Sequence, residues 1–329
     1  MRILITGVAG FIGSFLARNL AQDESNLVLG IDNLASYYAP SLKERRLIEV
    51  LSPKIEFQRV DISQRIQVEK CLGYFRPHKI FHLAAQPGIR LDVERHHQYT
   101  DANLNGFCNL LNGALKYSVG SFIYASSSSV YGNASEQKLS EHLTNLSPTS
   151  FYGATKLANE VLAKAYSYRY GIRTRGLRFF TVYGPWGRPD MSYFRIIASL
   201  LLRKEFMLYG DGSIKRDFTF IDDVVALTQK LGEELDSQSA GFSDVVNIGG
   251  GNPISIGMVI DTLSRLAKHD LIVARAGTDP SDVLVTNADS TYRETLIGQH
   301  TFHTQQEGLK KSLDWATQMS SADLDKWLA

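Results

Sequence analysis

Cysteine is scarce in this chain, with two among 329 residues, Cys71 and Cys108. Two thiols make no disulfide framework and show no metal-ligand spacing, so they are expected to be reduced and partly buried. Charge of one sign is not in excess either. Lys plus Arg number 35 against 34 Asp plus Glu, a net charge of +1. No global field draws nucleic acid or an anionic membrane, and the cluster Lys43-Glu44-Arg45-Arg46 reads as a solvated helix face. No apolar run approaches membrane-spanning length, and no signal segment precedes the first strand at Arg2, so the expected location is the cytoplasm. The histidines are scattered or wrongly spaced for one helix face, and no metal site is implied. His82 reads as a packed core histidine. There is no internal repeat and no low-complexity tail, and an apolar content of 44% suffices for one large domain or two smaller ones.

What the chain does have begins at its N-terminus. Arg2-Ile3-Leu4-Ile5-Thr6 is an apolar strand running into Gly7, Gly10 and Gly13 and then into an amphipathic stretch, FIGSFLARNLAQ. The layout is strand, tight turn, helix. Gly7 permits the turn, Gly10 lets the backbone approach a pyrophosphate, and Gly13 allows close packing of helix on sheet. The helix N-terminus at Phe11 and Ile12 supplies amides and a positive dipole end. The spacing is Gly-x-x-Gly-x-x-Gly, not the Gly-x-Gly-x-x-Gly of the common fingerprint. The next strand, LVLGID, ends at Asp32 beside Asn33. A carboxylate there accepts from the adenosine ribose hydroxyls and repels a 2′-phosphate, which selects NAD over NADP; a plain turn role is the alternative. Strands IEFQRVD, ending at Asp61, and KIFHLAA, ending in small residues, aim at the same crevice.

Ser126-Ser127-Ser128-Ser129-Val130-Tyr131-Gly132 and Phe151-Tyr152-Gly153-Ala154-Thr155-Lys156 bring a hydroxyl, a phenol and an ammonium within reach of one centre. Tyr152 and Lys156 are four apart in a segment that reads helical. They share a face, where the lysine charge favours the phenolate. A phenolate is a general base, and Ser127 can hold the same oxygen while carbon gives hydride to a nicotinamide.

Strand-like and helix-like segments alternate as far as LRFF (177–180), which means a parallel sheet with helices on both faces. The fold class expected is α/β, a Rossmann-type doubly wound parallel sheet with a smaller C-terminal substrate-binding domain. Residues 1–178, with returns near 219–250, form the first part; 179–218 and 251–329 form the second. The cleft between them is where a substrate should sit.

Together these residues closely resemble the extended short-chain dehydrogenase/reductase family, the NAD-dependent nucleotide-sugar epimerases and dehydratases, over essentially the whole chain. Within it, the segments IDNLASYYAPSLKERRL (31–47), HLAAQPGIR (82–90), ASSSSVYG (125–132) and FFTVYGPWGRPDM (179–191) are similar to the UDP-glucuronate 4-epimerases. Pro87 departs from the small residue that group commonly has. The resemblance implies Tyr152, Lys156 and Ser127 as catalytic residues. It implies cofactor contacts from the glycine turn, Asp32, Asn33, Ser36, Asp61, Ile62, Leu83, Ala84, Ala85, Asn103, Tyr152, Lys156 and Phe179. Substrate contacts are implied at Gln86, Ser127, Ser128, Ser129, Thr181, Arg188 and Arg216. Arg216 resembles a pyrophosphate-gripping arginine, with a salt bridge to Asp217 or Asp222 as the alternative. Arg188 can grip a sugar carboxylate with two hydrogen bonds. Trp186 is core or loop wall.

The implied activity is C4 epimerisation of a UDP-sugar, UDP-glucuronate to UDP-galacturonate, through a 4-keto intermediate with NAD regenerated. The partners are the UDP-sugar and, through helices near 98–117 and 151–170, a second copy of the chain. Related dehydratases carry Asp-Glu where Ser128 and Ser129 stand, and related decarboxylases have an acidic segment in place of Tyr152-Gly153-Ala154-Thr155-Lys156, so both reactions are disfavoured. The alternatives are another UDP-hexose or an N-acetylated uronate, an oxidoreductase releasing NADH, and a non-catalytic dinucleotide module; the last should have lost Tyr152 or Lys156.

Overall fold

The computed structural model describes residues 1–88, 91–134, 137–277 and 283–328. The chain opens with strand β1 (Arg2–Thr6), helix α1 (Phe11–Leu20), β2 (Leu27–Asp32), α2 (Pro40–Glu49), β3 (Glu56–Arg59), α3 (Arg65–Phe75) and β4 (Lys79–His82). A short α4 (His97–Tyr99) continues through a π-helical turn (Thr100–Asn105) into α5 (Gly106–Lys116), followed by β5 (Ser121–Ser127), α6 (Phe151–Tyr170) and β6 (Arg173–Phe179). These strands and β11 (Ser243–Ile248) form one seven-stranded sheet in the order β11-β6-β5-β4-β1-β2-β3, with every pairing parallel. Helices cover both faces, so the strands read as continuous apolar runs: Ile3, Leu4 and Ile5 of β1 are all buried. Strand order reverses between β1 and β4, and the carboxyl ends of those two strands frame the crevice where such sheets bind ligands.

Beyond β6 come β7 (Thr181–Tyr183), α7 (Ser192–Leu202), β8 (Phe206–Tyr209), β9 (Lys215–Arg216), β10 (Phe218–Phe220) and α8 (Ile221–Asp236), which packs on α1. After β11 lie β12 (Ile254–Ser255), α9 (Ile256–Ala267), β13 (Val273–Ala276), α10 (Thr291–Ile297), α11 (Gln305–Ala316) and α12 (Ser321–Leu328). Three two-stranded sheets, β7 with β10, β9 with β12 and β8 with β13, tie this material together. Trp186 is core: it packs against Trp315 and Trp327, whose rings stack 6.3 Å apart at an interplanar angle of 4°.

Two features fix α6, the helix that carries the tyrosine and lysine. Ser150 caps its N-terminus, its Oγ accepting from Gly153 N at 3.0 Å, and Gly171 ends it at φ +77°. Glu160, on the buried face, takes the Arg178 guanidinium of β6 on both oxygens and accepts from Ser126 Oγ at the end of β5. The tyrosine helix and the serine strand are thereby stapled together one residue from Ser127.

One expectation is corrected here. Lys43 and Arg46 do not belong to a solvated face. Both are buried, Arg46 completely, while Glu44 stays exposed and Arg45 is half-buried. Leu42, Arg46 and Val50 recur every four residues and all three are buried, so the arginine lies on the stripe of α2 that meets the body of the protein. Lys43 bends back, its Nζ donating to Ala35 O at 2.6 Å.

Candidate active site

The turn after β1 is shaped for close approach. Gly7 has φ +73°, and a Cβ on it would meet Ala84 N at 2.7 Å; a Cβ on Gly13 would meet Gly7 O at 2.2 Å. Neither position admits a side chain. No side chain caps the first turn of α1, so the amides of Phe11 and Ile12 and the positive helix end face outward. Asp32, at the end of β2, accepts from Ala9 N at 3.2 Å and Leu34 N at 2.8 Å. Each oxygen retains a lone pair for a ribose hydroxyl. Asp61 receives Asn33 Nδ2 at 3.2 Å on one oxygen and Ser63 on the other. Ile62 and Phe179 are buried and Leu83, Ala84 and Ala85 half-buried, while Ser36 is exposed on the loop after β2. A glycine cradle, an uncapped helix end and a carboxylate one strand away fit a dinucleotide with a free ribose.

Asn103 serves the protein itself. Its Oδ1 accepts from Gln86 N at 2.8 Å and its Nδ2 donates to Gln86 O and Thr155 Oγ1, tying the segment after β4 to α6. Gln86 is buried, its Nε2 donating to Pro87 O. Ile89 and Arg90, which end the HLAAQPGIR segment, lie outside the described residues. His82 is a core histidine: its Nδ1 pairs with Thr6 Oγ1 at 2.7 Å, and burial, aided by the Lys156 charge, pushes the ring down to about 3, so it stays neutral.

Ser127 ends β5 and caps the 3-10 turn that holds Ser128 and Ser129. Its Oγ accepts from Ser129 N and pairs with Ser129 Oγ, both at 3.1 Å. Lys156 is buried, its Nζ donating to Ala125 O at 2.9 Å and lying 5.7 Å from the Tyr152 ring centre. Burial pushes this ammonium down to about 8. Burial raises the Tyr152 phenol, and the Arg188 guanidinium, followed by a hydrogen bond with the Ser127 hydroxyl, leads the groups that work against the rise. Spacing on a helix puts two residues on one face; it says nothing of how deeply that face is sunk.

Arg188, whose charge acts on the phenol, is already engaged. Its Nε donates to Asp190 Oδ1 at 3.0 Å and its Nη2 to Oδ2, while Tyr37 Oη donates to Asp190 Oδ2 at 3.4 Å. Asp190 occupies the Nε–Nη2 edge, and Nη1 is the donor left for a second carboxylate. Thr181 begins β7, half-buried. Arg216 donates from Nη1 to Lys215 O and Val283 O. Among the described residues, no group of three or more His, Cys, Asp or Glu could hold a metal ion.

Residues 3–249 match the model of the NAD dependent epimerase/dehydratase family. The chain belongs to this family. It is 37% identical over 319 residues to a UDP-glucuronate 4-epimerase of Thermodesulfobacterium geofontis, covering 95% of each chain. The structure is similar to that of UDP-glucuronic acid 4-epimerase from Bacillus cereus in complex with UDP-glucuronic acid and NAD, with a TM-score of 0.89, 33% identity and coverage of 97% and 99%. It is also similar, at a TM-score of 0.85 and 30% identity over 98% and 100% of the chains, to TunA, an NAD-dependent NDP-hexosamine 5,6-dehydratase.

Within this epimerase/dehydratase fold, sequence reasoning missed Tyr37, Asp190 and Arg46. The four-residue recurrence of Leu42, Arg46 and Val50 was the available signal for the last. For Asp190 there was none, because a side-chain pair inside an irregular turn leaves no periodic trace.

Proposed function

We propose that the protein inverts C4 of UDP-glucuronate to give UDP-galacturonate through a transient 4-keto sugar. The chemistry NAD supplies when bound is reversible acceptance of hydride. The glycine turn would hold its pyrophosphate, Asp32 its adenosine ribose, and Lys156 its nicotinamide ribose. Tyr152 Oη takes the proton of the C4 hydroxyl and later restores it, and Ser127 Oγ holds the same oxygen in both directions. The Arg188 charge and the Ser127 hydroxyl favour the phenolate against burial. Oxidation at C4 of a uronate makes a β-keto acid, which loses carbon dioxide if the carboxylate swings out of the ring plane. Thr181, Ser128, Ser129 and the free edge of Arg188 are assigned to holding it, and Arg216 to the pyrophosphate. Residues 1–178 with 219–250 would carry the cofactor, and 179–218 with 251–329 the sugar nucleotide.

The observation that carries this reading is a guanidinium whose charge favours the Tyr152 phenolate, together with serines at 128 and 129 that offer no acid for dehydration. A second reading, a neutral UDP-hexose, is favoured by the hold Asp190 already has on Arg188. Incubation with a panel of UDP-glucuronate, UDP-glucose and N-acetylated uronates, followed by chromatography, separates them. UDP-galacturonate without accumulating NADH or UDP-pentose is expected; turnover of neutral sugars alone would sink the uronate assignment. A homodimer through α5 and α6 is supported by Val161, Tyr168 and Tyr170, exposed at 64%, 91% and 59% on α6. A cytoplasmic location is supported by the free thiols Cys71 and Cys108. No helix among the described residues is long and apolar enough to cross a membrane.

A further inference from the structure

Arg46 is fully buried, and its hydrogen bonds end on neutral oxygens. Nη1 donates to Ala9 O at 3.2 Å, inside the glycine turn, and to Tyr38 Oη at 2.6 Å; Nε donates to Trp186 O at 2.8 Å and Nη2 to Gly187 O at 2.9 Å. None of these four acceptors is a carboxylate. A guanidinium sunk onto neutral acceptors gives up its hydration with no counter-charge among them, a cost that a merely decorative arginine would not carry. The planar fork is what allows one residue to hold two turns at once.

The two turns differ in kind. One is the cofactor-side turn between Gly7 and Gly10. The other carries Trp186 at φ +63°, a left-handed conformation that bulky side chains seldom adopt, and Arg188 follows two residues later. A strained turn persists only where its surroundings over-determine it. Here the two carbonyls gripped by Arg46 are those of Trp186 and Gly187, immediately before Arg188.

We propose that Arg46 is a positioning residue for the sugar site: from the glycine turn it fixes the Trp186-Gly187 turn and, through it, the direction of the Arg188 guanidinium. This rests on the uronate reading above, since it gives Arg46 an effect on how Arg188 meets a sugar carboxylate.

The test is a double-mutant cycle on the NAD-loaded protein, with affinities for UDP-glucuronate and UDP-glucose measured by calorimetry. Arg46→Lys keeps the charge but offers its donors from a single atom, which cannot span both turns. The ratio of glucuronate to glucose affinity should fall on the order of 10-fold, the low end for a lost hydrogen bond to a charged group. In an Arg188→Ala background the same change should leave the ratio alone, because the residue it acts through is gone. Tyr38→Phe removes one acceptor with little risk to folding, and should lower the ratio in the same direction by less. An unchanged ratio in both Arg46→Lys and Tyr38→Phe, or a fall that persists undiminished without Arg188, overturns the inference and leaves Arg46 a purely structural role. If Arg188→Ala itself leaves the ratio unchanged, the uronate reading fails and this inference with it. A selective Arg188→Ala beside an inert Arg46→Lys sinks the inference alone.

Discussion

The two sides of the crevice are made of different material. On the side proposed for the cofactor the shape is almost all backbone: glycines whose missing Cβ atoms leave no room, an uncapped helix end, and one carboxylate at a strand terminus. On the side proposed for the sugar it is side chains brought from separate stretches, Tyr37, Ser127, Tyr152, Arg188 and Asp190. A backbone device is fixed once the chain folds. A side-chain device can be retuned by single substitutions without disturbing the fold, and one fold can host several reactions.

Changing only the side-chain half should therefore abolish chemistry and spare the cofactor. Tyr152→Phe is expected to lower kcat by roughly 100-fold to 10,000-fold, with NAD affinity by calorimetry close to wild type; a parallel loss of cofactor would erase the distinction between the halves. The side-chain half should also carry a measurable burial penalty. Burial lowers Lys156 in the folded chain to about 8 from 10.5. Between pH 8 and about 10.5 the unfolded chain keeps a proton that the folded chain has shed, so stability rises with pH across that window. Below pH 8 the penalty stands in full, about 3 kcal/mol. Lys156→Met removes it, so in urea denaturation of the cofactor-free protein the variant's advantage should shrink as pH climbs from 8 to 10.5. A pH-independent difference would contradict the penalty.

Next in size is the carboxylate grip. Arg188→Ala should cost roughly 10-fold to 150-fold in kcat/KM for UDP-glucuronate beyond any loss for UDP-glucose, the worth of a charge-assisted hydrogen bond. Equal losses for the two sugars would move Arg188 to the pyrophosphate or to loop shape. Smallest is the one side chain in the backbone half. Asp32→Ala should narrow the preference for NAD over NADP by roughly 10-fold, the low end of a like-charge penalty. Paired titrations with the two cofactors decide it, and an unaltered preference would make Asp32 a turn residue only.

The same division explains which features are legible in the amino-acid order itself. Glycine spacing, the end of LVLGID at Asp32, and the Tyr152 and Lys156 pair are local patterns, and local geometry follows from them. The parallel sheet is legible because strand-like and helix-like segments alternate along the chain as far as residue 180. Burial of Arg46 is not, because charged residues in sequence look solvated until their neighbours are known; only the spacing with Leu42 and Val50 hints otherwise. The Arg188 and Asp190 pair depends on a turn closed by Met191 N donating to Arg188 O at 3.2 Å. The raised Tyr152 phenol depends on everything packed above it. Both are sums over distant parts of the chain.

The chain has three tryptophans, and all three sit in one cluster, Trp186 in the turn before Arg188 against Trp315 of α11 and Trp327 of α12. The protein's tryptophan emission, excited selectively over its 15 tyrosines, therefore comes from a single cluster that includes Trp186, two residues from Arg188. A ligand that displaces the turn changes the surroundings of every indole at once. Native fluorescence, with no label and no reaction, becomes an optical gauge of that one loop.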